Sequence, residues 1–595
     1  MAQAAPPQGQ PTPPEGVEAL GAEPARLRPN APVAGDSASP AAIGRLKEAM
    51  ADLKQQAALP LLNQAIEAVR ADDWQGGGDL AIRALEIDER NGVGWWVLAI
   101  CREKAGDVRT ALSCYETALK LLPDHAEIAN DLGRLAYMLG MKEVAEKLFA
   151  HFLVRFPGHV EGTNNLACAL RDQERFDEAV ELMRPVIYAE PEASLLWNTL
   201  GTVLNEQGEI AQSVTFYDEA LRLEPGFSKA RYNRSNARLS LGDAAGALED
   251  VDAAIAQTVL GSELSMMRLA RSTMLLCSGR IGEGWDAYEA RLDPAFSDVT
   301  HFLVDRPRWE PGEDIGGKSL LVMGEQGLGD EVLFANVLPD VVEALGGDGK
   351  LTIAVERRLV GLFQRSFPQA AVGPHATFKV DSHVVRAAGF VEDMEAVDRW
   401  TPIASLLREY RRSAEAYPGR PSFLAADPSR VEHWRGELDR LGGAPKVGVL
   451  WKSLKLDASR RRYFSPFEQW RPVLTTPGRL FVNLQYGDCE RELAEARAAG
   501  IQIWDPPGID LKEDLDDVAA LTCALNLVIG PANATTNIAA ACGAPVWFIS
   551  TPGAWPRLGT DRYPWYPQVR VFTPDHFNRW DPVMAEVAEA LARAF

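Results

Sequence analysis

Cysteine and histidine are scarce in this 595-residue chain, and neither is arranged for chemistry. The seven cysteines (Cys101, Cys114, Cys168, Cys277, Cys489, Cys523, Cys542) are scattered, odd in number and never spaced Cys-x-x-Cys. This argues against a disulfide framework and points to a reducing compartment, the cytoplasm. The eight histidines are equally dispersed, with no His-x-x-x-His pair, so no metal site is expected. No apolar run approaches the ~18 residues of a membrane span. The N-terminus lacks the charged start, apolar stretch and cleavage site of a secretory signal. Basic charge is also in deficit: 61 Lys and Arg face 83 Asp and Glu, a net charge of −22. Nucleic-acid binders are ordinarily basic, so that class is set aside.

What is present is a long period. Pro123, Pro157, Pro191 and Pro225 stand 34 residues apart, each closing a similar segment such as Tyr115–Pro123 or Tyr217–Pro225. A helical period of that length marks the tetratricopeptide repeat, a helix–turn–helix unit that binds other proteins. Gly106, Gly140, Glu174, Gly208 and Gly242 share one slot, expected to be the turn between the paired helices. Glycine suits a turn that needs positive φ. A small residue follows (Ala111, Ala145, Ala179, Ser213, Ala247), and four positions later a large one (Tyr115, Phe149, Met183, Tyr217, Val251). Both sets are expected to pack the helix pair together. A degenerate copy runs through Asp72–Trp74, and a stretched one from Gly279 through Trp285 to Tyr288; atypical copies cap such stacks.

These patterns divide the chain. Residues 1–40, rich in Pro, Ala, Gly and Gln, read as a disordered leader. Residues 41–291 form the repeat α-solenoid, and 292–317, with Pro and Gly but no period, form a linker. From Lys318 short apolar runs alternate with helical segments: Ser319–Met323, Leu351–Val355, Val447–Trp451, Arg479–Leu484, Ile501–Trp504, Leu525–Ile529 and Pro545–Ile549. This predicts parallel sheets covered by helices. A loose stretch from Tyr417 to Pro428 separates two such halves, 318–425 and 426–595.

Three loops carry candidate chemistry. The segment Gly312–Ser319 spells a Walker A loop but leads into a strand rather than a helix, which excludes it. The next loop, Gly324-Glu-Gln-Gly327-Leu-Gly329-Asp330, runs from strand to helix in the required order. Its glycines let a ligand approach the backbone. Asp330 reads either as a helix cap or as a catalytic base. The glycine order is not that of a dinucleotide fingerprint. After a second strand come Trp451-Lys452-Ser453 and the run Arg460, Arg461, Arg462, the densest basic stretch of the chain. It reads as an anion site or as a solvated surface loop. After a third come Asn533, Thr535, Thr536 and Asn537 at a helix start, where hydroxyls, amides and backbone N–H groups suit an anion.

Repeats followed by Gly-Leu-Gly-Asp330, a strand ending in Trp451-Lys452-Ser453, and a small-residue helix leading to Gly543-Ala-Pro-Val-Trp547 resemble bacterial repeat-bearing glycosyltransferases. These are related to the O-linked N-acetylglucosamine transferase and heptosyltransferase families. The Trp565-Tyr566-Pro567 segment fits the same pattern. The resemblance implies a GT-B fold: two Rossmann-like halves, with the donor nucleotide held mainly by the second. It implies metal-independent transfer from a nucleotide-sugar, with no further cofactor. Asp330 would be the catalytic base. Gly327, Gly329, Lys452, Arg460, Arg461, Arg462, Asn533, Thr535, Thr536 and Asn537 would bind the donor. Many relatives carry Asp-Thr-Ala-x-Ala-His where this chain has Ala532 and Asn537 at the acidic and histidine positions. Losing an acidic residue beside added arginines suits an anionic donor. The likeness extends to flagellin glycosyltransferases of stalked alphaproteobacteria. It implies a CMP-linked, pseudaminic-acid-like nonulosonic acid as donor and Ser/Thr of flagellin, gripped by the repeats, as acceptor. Two alternatives stand beside it: an inactive scaffold or chaperone, and a glycan-directed enzyme using another nucleotide-sugar.

Overall fold

The computed structural model describes residues 40–259, 261–380, 383–454, 458–461, 463–575 and 579–595. The expected leader, apart from Pro40, lies outside these residues, as does Arg462. The chain divides into two compact units, one ending at Val203 and one spanning Leu204–Phe595.

The first unit is helical throughout, from Pro40–Arg70 to the helix Ser194–Gln207 that crosses the division. Its repeat helices end at Leu121, Arg155 and Ala189, each just before a proline of the period. The turn slots have the backbone the spacing predicts. Gly106 and Gly140 have φ of 80° and 76°, and the non-glycine members Asp72 and Glu174 adopt 60° and 61°. Position, not residue type, fixes that conformation: the paired helices cannot reverse without it. The small and large slots are equally regular. Ala111, Ala145 and Ala179 are sealed, and Tyr115, Phe149 and Met183 fill the space beside them. Gly133 is required for contact, since a Cβ there would stand 2.8 Å from the Phe149 ring.

The second unit opens with the remaining repeat helices, Ile210–Leu223 to Ile281–Tyr288, with turn glycines at φ 99° (Gly208), 85° (Gly242) and 78° (Gly279). Its strands are β1 (Thr300–Phe302), β2 (Ser319–Met323), β3 (Lys350–Val355), β4 (Ala371–Pro374), β5 (Ala376–Val380), β6 (His383–Ala387), β7 (Arg399–Pro402), β8 (Lys446–Val449), β9 (Leu480–Asn483), β10 (Ile503–Trp504), β11 (Leu527–Pro531), β12 (Val546–Ile549) and β13 (Arg570–Phe572). A four-stranded sheet has the order β4-β3-β2-β7, all parallel. A six-stranded sheet has the order β10-β9-β8-β11-β12-β13, also all parallel. Counted within its own half, the second order is 3-2-1-4-5-6, that of a doubly wound nucleotide-binding sheet. A small sheet, β1-β6-β5, lies apart.

The segment 292–317 is more than a linker. It supplies β1, which pairs with β6, and buries Trp309, whose N–H bonds to Trp400 O at 2.8 Å. Three-residue β1 and four-residue β7, with polar or proline residues, lack the apolar run that marks a strand in sequence. Lys318-Ser319 lead into β2, as expected of a strand rather than a phosphate loop.

Glu174 holds a left-handed turn that glycine occupies in neighbouring repeats. Glu174→Gly should therefore raise the unfolding free energy by about 0.5–1 kcal/mol in urea denaturation. A loss of stability would show that the Glu174 side chain contributes more than its backbone costs.

Candidate active site

In open parallel sheets ligands gather beyond the strand ends where the strand order reverses. Here the reversals lie between β2 and β7 and between β8 and β11. The loop after β2 is Gly324–Gly327, opening the helix Leu328–Phe334; the residues after β8 are Leu450–Lys452; those after β11 are Ala532 and Asn533, opening the helix Ala534–Ala541. All three sequence-marked loops therefore sit at a reversal. Two of them touch. A Cβ added to Gly329 would stand 3.3 Å from Ala534 N and 3.6 Å from the Asn533 carbonyl carbon. Gly329 thus lets the two helix starts approach backbone to backbone.

Three carboxylates line the first loop, and two are fully engaged. Glu325 accepts from Arg291 Nε at 2.7 Å, from the Arg291 terminal nitrogen at 2.8 Å and from Ala404 N–H at 2.8 Å. Glu331 meets His375 Nε2 at 2.9 Å, Glu356 N–H at 2.8 Å and Arg386 at 3.2 Å. Arg386 also donates to the carbonyls of Gly324 (2.6 Å) and Gln326 (2.8 Å), and Gln326 takes a φ of 60°. Gly324 lies against Glu331, where a Cβ would stand 2.7 Å from the carboxyl carbon.

Asp330 is the third. Among the described residues no cation pairs with it; it accepts only the Gly327 N–H, at 3.1 Å. Surrounding protein strips water from its carboxyl and pushes its pKa up to about 6; the Gly327 bond opposes this, while the charges of Glu325 and Glu331 add to it. The buried Tyr563 phenol feels the Asp330 charge, secondary to burial, and is pushed up. Gly327 is thus the N-cap and Asp330 the third helical residue, whose carboxylate accepts the N-cap N–H; among the described residues no cation neutralises it.

The second-half candidates are more committed to local structure. Asn533 caps its helix: Thr536 N–H donates to its Oδ1 at 3.3 Å, and its own N–H donates to Thr536 Oγ1 at 3.0 Å. The Thr536 hydroxyl donates to Pro531 O at 2.6 Å. Asn537 Oδ1 accepts from Tyr566 O–H at 3.2 Å, and Thr535 is buried beside it. The Lys452 ammonium pairs with Glu492, and Gln485 Oε1 accepts the N–H groups of Trp451 (3.0 Å) and Lys452 (2.9 Å). Burial opposes ionisation of Glu492, but Lys452 holds its carboxyl below the usual range. Arg460 and Arg461 lie on the one-turn helix Ala458–Arg461. Tyr463 just beyond packs against Ile210, Tyr217 and Ala237 of the repeats. Among the described residues no group of three or more His, Cys, Asp or Glu gathers as metal ligands. No described helix is long and apolar enough to cross a membrane.

Arg291, Glu325, Glu331, His375 and Arg386 escape sequence reasoning. The one available signal is acid residues flanking glycines directly after an apolar strand, which need buried cations.

Comparison with known proteins matches the chain to Protein FlbA of Caulobacter vibrioides, 52% identical over 558 residues, covering 94% of each chain. The chain belongs to the FlbA family. This FlbA-family chain also matches the tetratricopeptide repeat model over residues 98–160, 164–226 and 199–260. Human tetratricopeptide repeat protein 7B is 29% identical over 20% of the chain and 14% of its own length. Among solved structures, the type IV pilus biogenesis factor PilW is similar over 36% of this chain and 98% of its own, with 20% identity and a TM-score of 0.32. A tetratricopeptide repeat protein from Parabacteroides merdae covers 40% of this chain and 93% of its own, with 15% identity and a TM-score of 0.35. The repeat model matches only the helical part of the chain, while the FlbA match takes in the α/β half as well.

The Asp330 carboxyl gives a stability test. Its folded pKa lies above its unfolded one, so its contribution is intact below about pH 3.8 and is lost as pH rises through about 6. Asp330→Asn should be more stable than the parent by about 1–3 kcal/mol at pH 8 and by little at pH 4. Equal stability gains at both pH values would contradict the raised pKa of Asp330.

Proposed function

We propose that this chain is a metal-independent GT-B glycosyltransferase that moves a nonulosonic acid from a CMP-sugar to Ser/Thr of flagellin, working in the cytoplasm. The observation that carries the reading is Asp330. Among the described residues it has no cationic partner; it is a carboxyl of raised proton affinity, on a glycine loop that abuts the helix start after β11 at the reversal of two parallel sheets. The FlbA-family match across both halves and the motif resemblance support it.

In this reading the acceptor hydroxyl gives its proton to the Asp330 carboxylate as its oxygen attacks the anomeric carbon. The bond from that carbon to the phosphate oxygen breaks, and the electron pair leaves with the nucleotide. Gly327 admits the donor to the backbone, and Gly329, packed against Ala534, brings the second helix start up to it. The helix start at Asn533–Asn537 faces the leaving phosphate with its dipole. Lys452, already paired with Glu492, and the segment Arg460–Arg462 supply positive charge toward an anionic sugar. The repeats hold the acceptor polypeptide. A scaffold reading draws on one observation, the Gly327 N–H bond to Asp330, which alone would explain an aspartate there.

Five measurements test the proposal. Incubation with flagellin and CMP-nonulosonate should raise the flagellin mass by one or more sugar residues, and CMP should stabilise the chain thermally more than UDP or ADP does. Unchanged flagellin mass with an intact donor would sink the reading. Asp330→Asn should lower kcat by about 10²–10⁴-fold, and the parent rate should climb as pH passes about 6, because the base acts ionised. Full activity in that variant favours the scaffold. Charge reversal at Arg460 and Arg461 should weaken donor binding about tenfold while leaving flagellin binding intact; equal donor affinity refutes their role.

A further inference from the structure

We infer that Arg291, at the end of the repeat array, is a positioning residue for the Gly324–Asp330 loop. The inference rests on reading Asp330 as the base. Arg291 lies in the single turn Glu289–Leu292, directly after the final repeat helix Ile281–Tyr288. Its side chain is 1% exposed. A guanidinium has five N–H donors in a fixed fork. Arg291 makes five bonds: two to Glu325, one to Ser405 Oγ (2.9 Å), one to Glu289 Oε1 (2.7 Å) and one to Tyr288 O (3.1 Å). No donor is left over for a ligand, so its work is to hold protein.

What it holds is the one carboxylate between β2 and the left-handed Gln326. Glu325 has a side-chain exposure of 2%, and Arg291 is its only ion-pair partner among the described residues. Removing that cation leaves a charge buried without compensation, which is costly enough to drive Glu325 toward water. Gln326 and Gly327 move with it, and the Gly327 N–H is the group that orients Asp330. Arg386 grips the same loop from β6, but at Gly324, Gln326 and Glu331, not at Glu325. A lysine cannot replace Arg291, because one ammonium cannot make the planar double bond to Glu325 and also reach Ser405, Glu289 and Tyr288 O. The last repeat is therefore part of the support of the reacting loop.

The test uses the full chain with Arg291→Lys and, separately, Glu325→Gln, the milder change should the first not fold. Amide exchange across residues 324–331 should quicken about tenfold in both while the strands of the six-stranded sheet keep their protection. With CMP-nonulosonate and flagellin, kcat should fall at least about tenfold while the donor KM stays within about threefold, as expected when a base is displaced rather than a binding site lost. Parent-like exchange and kcat in both variants overturn the inference, as does exchange that quickens evenly over the whole unit. If the loop loosens selectively but the parent itself transfers no sugar, the positioning role stands and the catalytic reading of Asp330 falls.

Discussion

Trp285 is the residue on which three pieces of the second unit converge. Its buried indole meets Tyr288 of the same helix at 5.8 Å, Phe334 at the end of the helix carrying Asp330 at 6.3 Å, and Trp555 and Trp565 beyond β12 at 5.9 and 6.0 Å. All four contacts are edge-to-face, the arrangement the ring quadrupoles favour. The last repeat, the helix carrying Asp330 and the segment between β12 and β13 thus share one aromatic core. Gly284 makes room for Leu276, which packs in the same buried cluster; a Cβ there would strike its side chain at 2.7 Å. Losing a buried ring of this size ordinarily costs about 3–5 kcal/mol. Here the cost would fall on the alignment of both sheets.

Upon that core sits a charged layer of a different kind. Arg291–Glu325 and Arg386–Glu331 are buried ion pairs, a construction that often adds little net stability because each ion must first lose its water. Their value is directional. Between them the two pairs fix the backbone from Gly324 to Gln326, and among the described residues Asp330 is the carboxylate of this loop with no cationic partner. Loss of hydration, with a smaller push from the nearby Glu325 and Glu331 charges, raises its proton affinity into the range that base chemistry near neutral pH uses.

Much of this was legible in the chain. A 34-residue period survives because every turn slot needs the same backbone, so even Asp72 and Glu174 adopt φ near 60°. Strands built on apolar runs, β2, β3, β8, β9, β11 and β12, stand within a few residues of where those runs predict them. The glycine loops at the two sheet reversals were visible because strand, turn and helix follow one another directly. The rest depends on folding. Glu325 is 34 residues from Arg291, and Glu331 is 55 from Arg386, separations at which no local pattern links charge to charge. Lys452 read as an available cation because Glu492, 40 residues on, reaches it only through the packing of the second half. Strands β4 to β7 are short and partly polar; β5 alternates Ala376, Phe378 and Val380 with polar residues, but over only five residues and with every one of them exposed.

Gly324 gives the loop a final property. Its backbone is unexceptional; what a side chain there would meet is the carboxyl of Glu331, at 2.7–2.8 Å. The glycine is therefore an electrostatic requirement, not a conformational one. Any added atom would displace Glu331 from His375 and Arg386, and Arg386 would in turn loosen its hold on the carbonyls of Gly324 and Gln326. A single hydrogen atom in place of a methyl is what keeps this loop's charges in register.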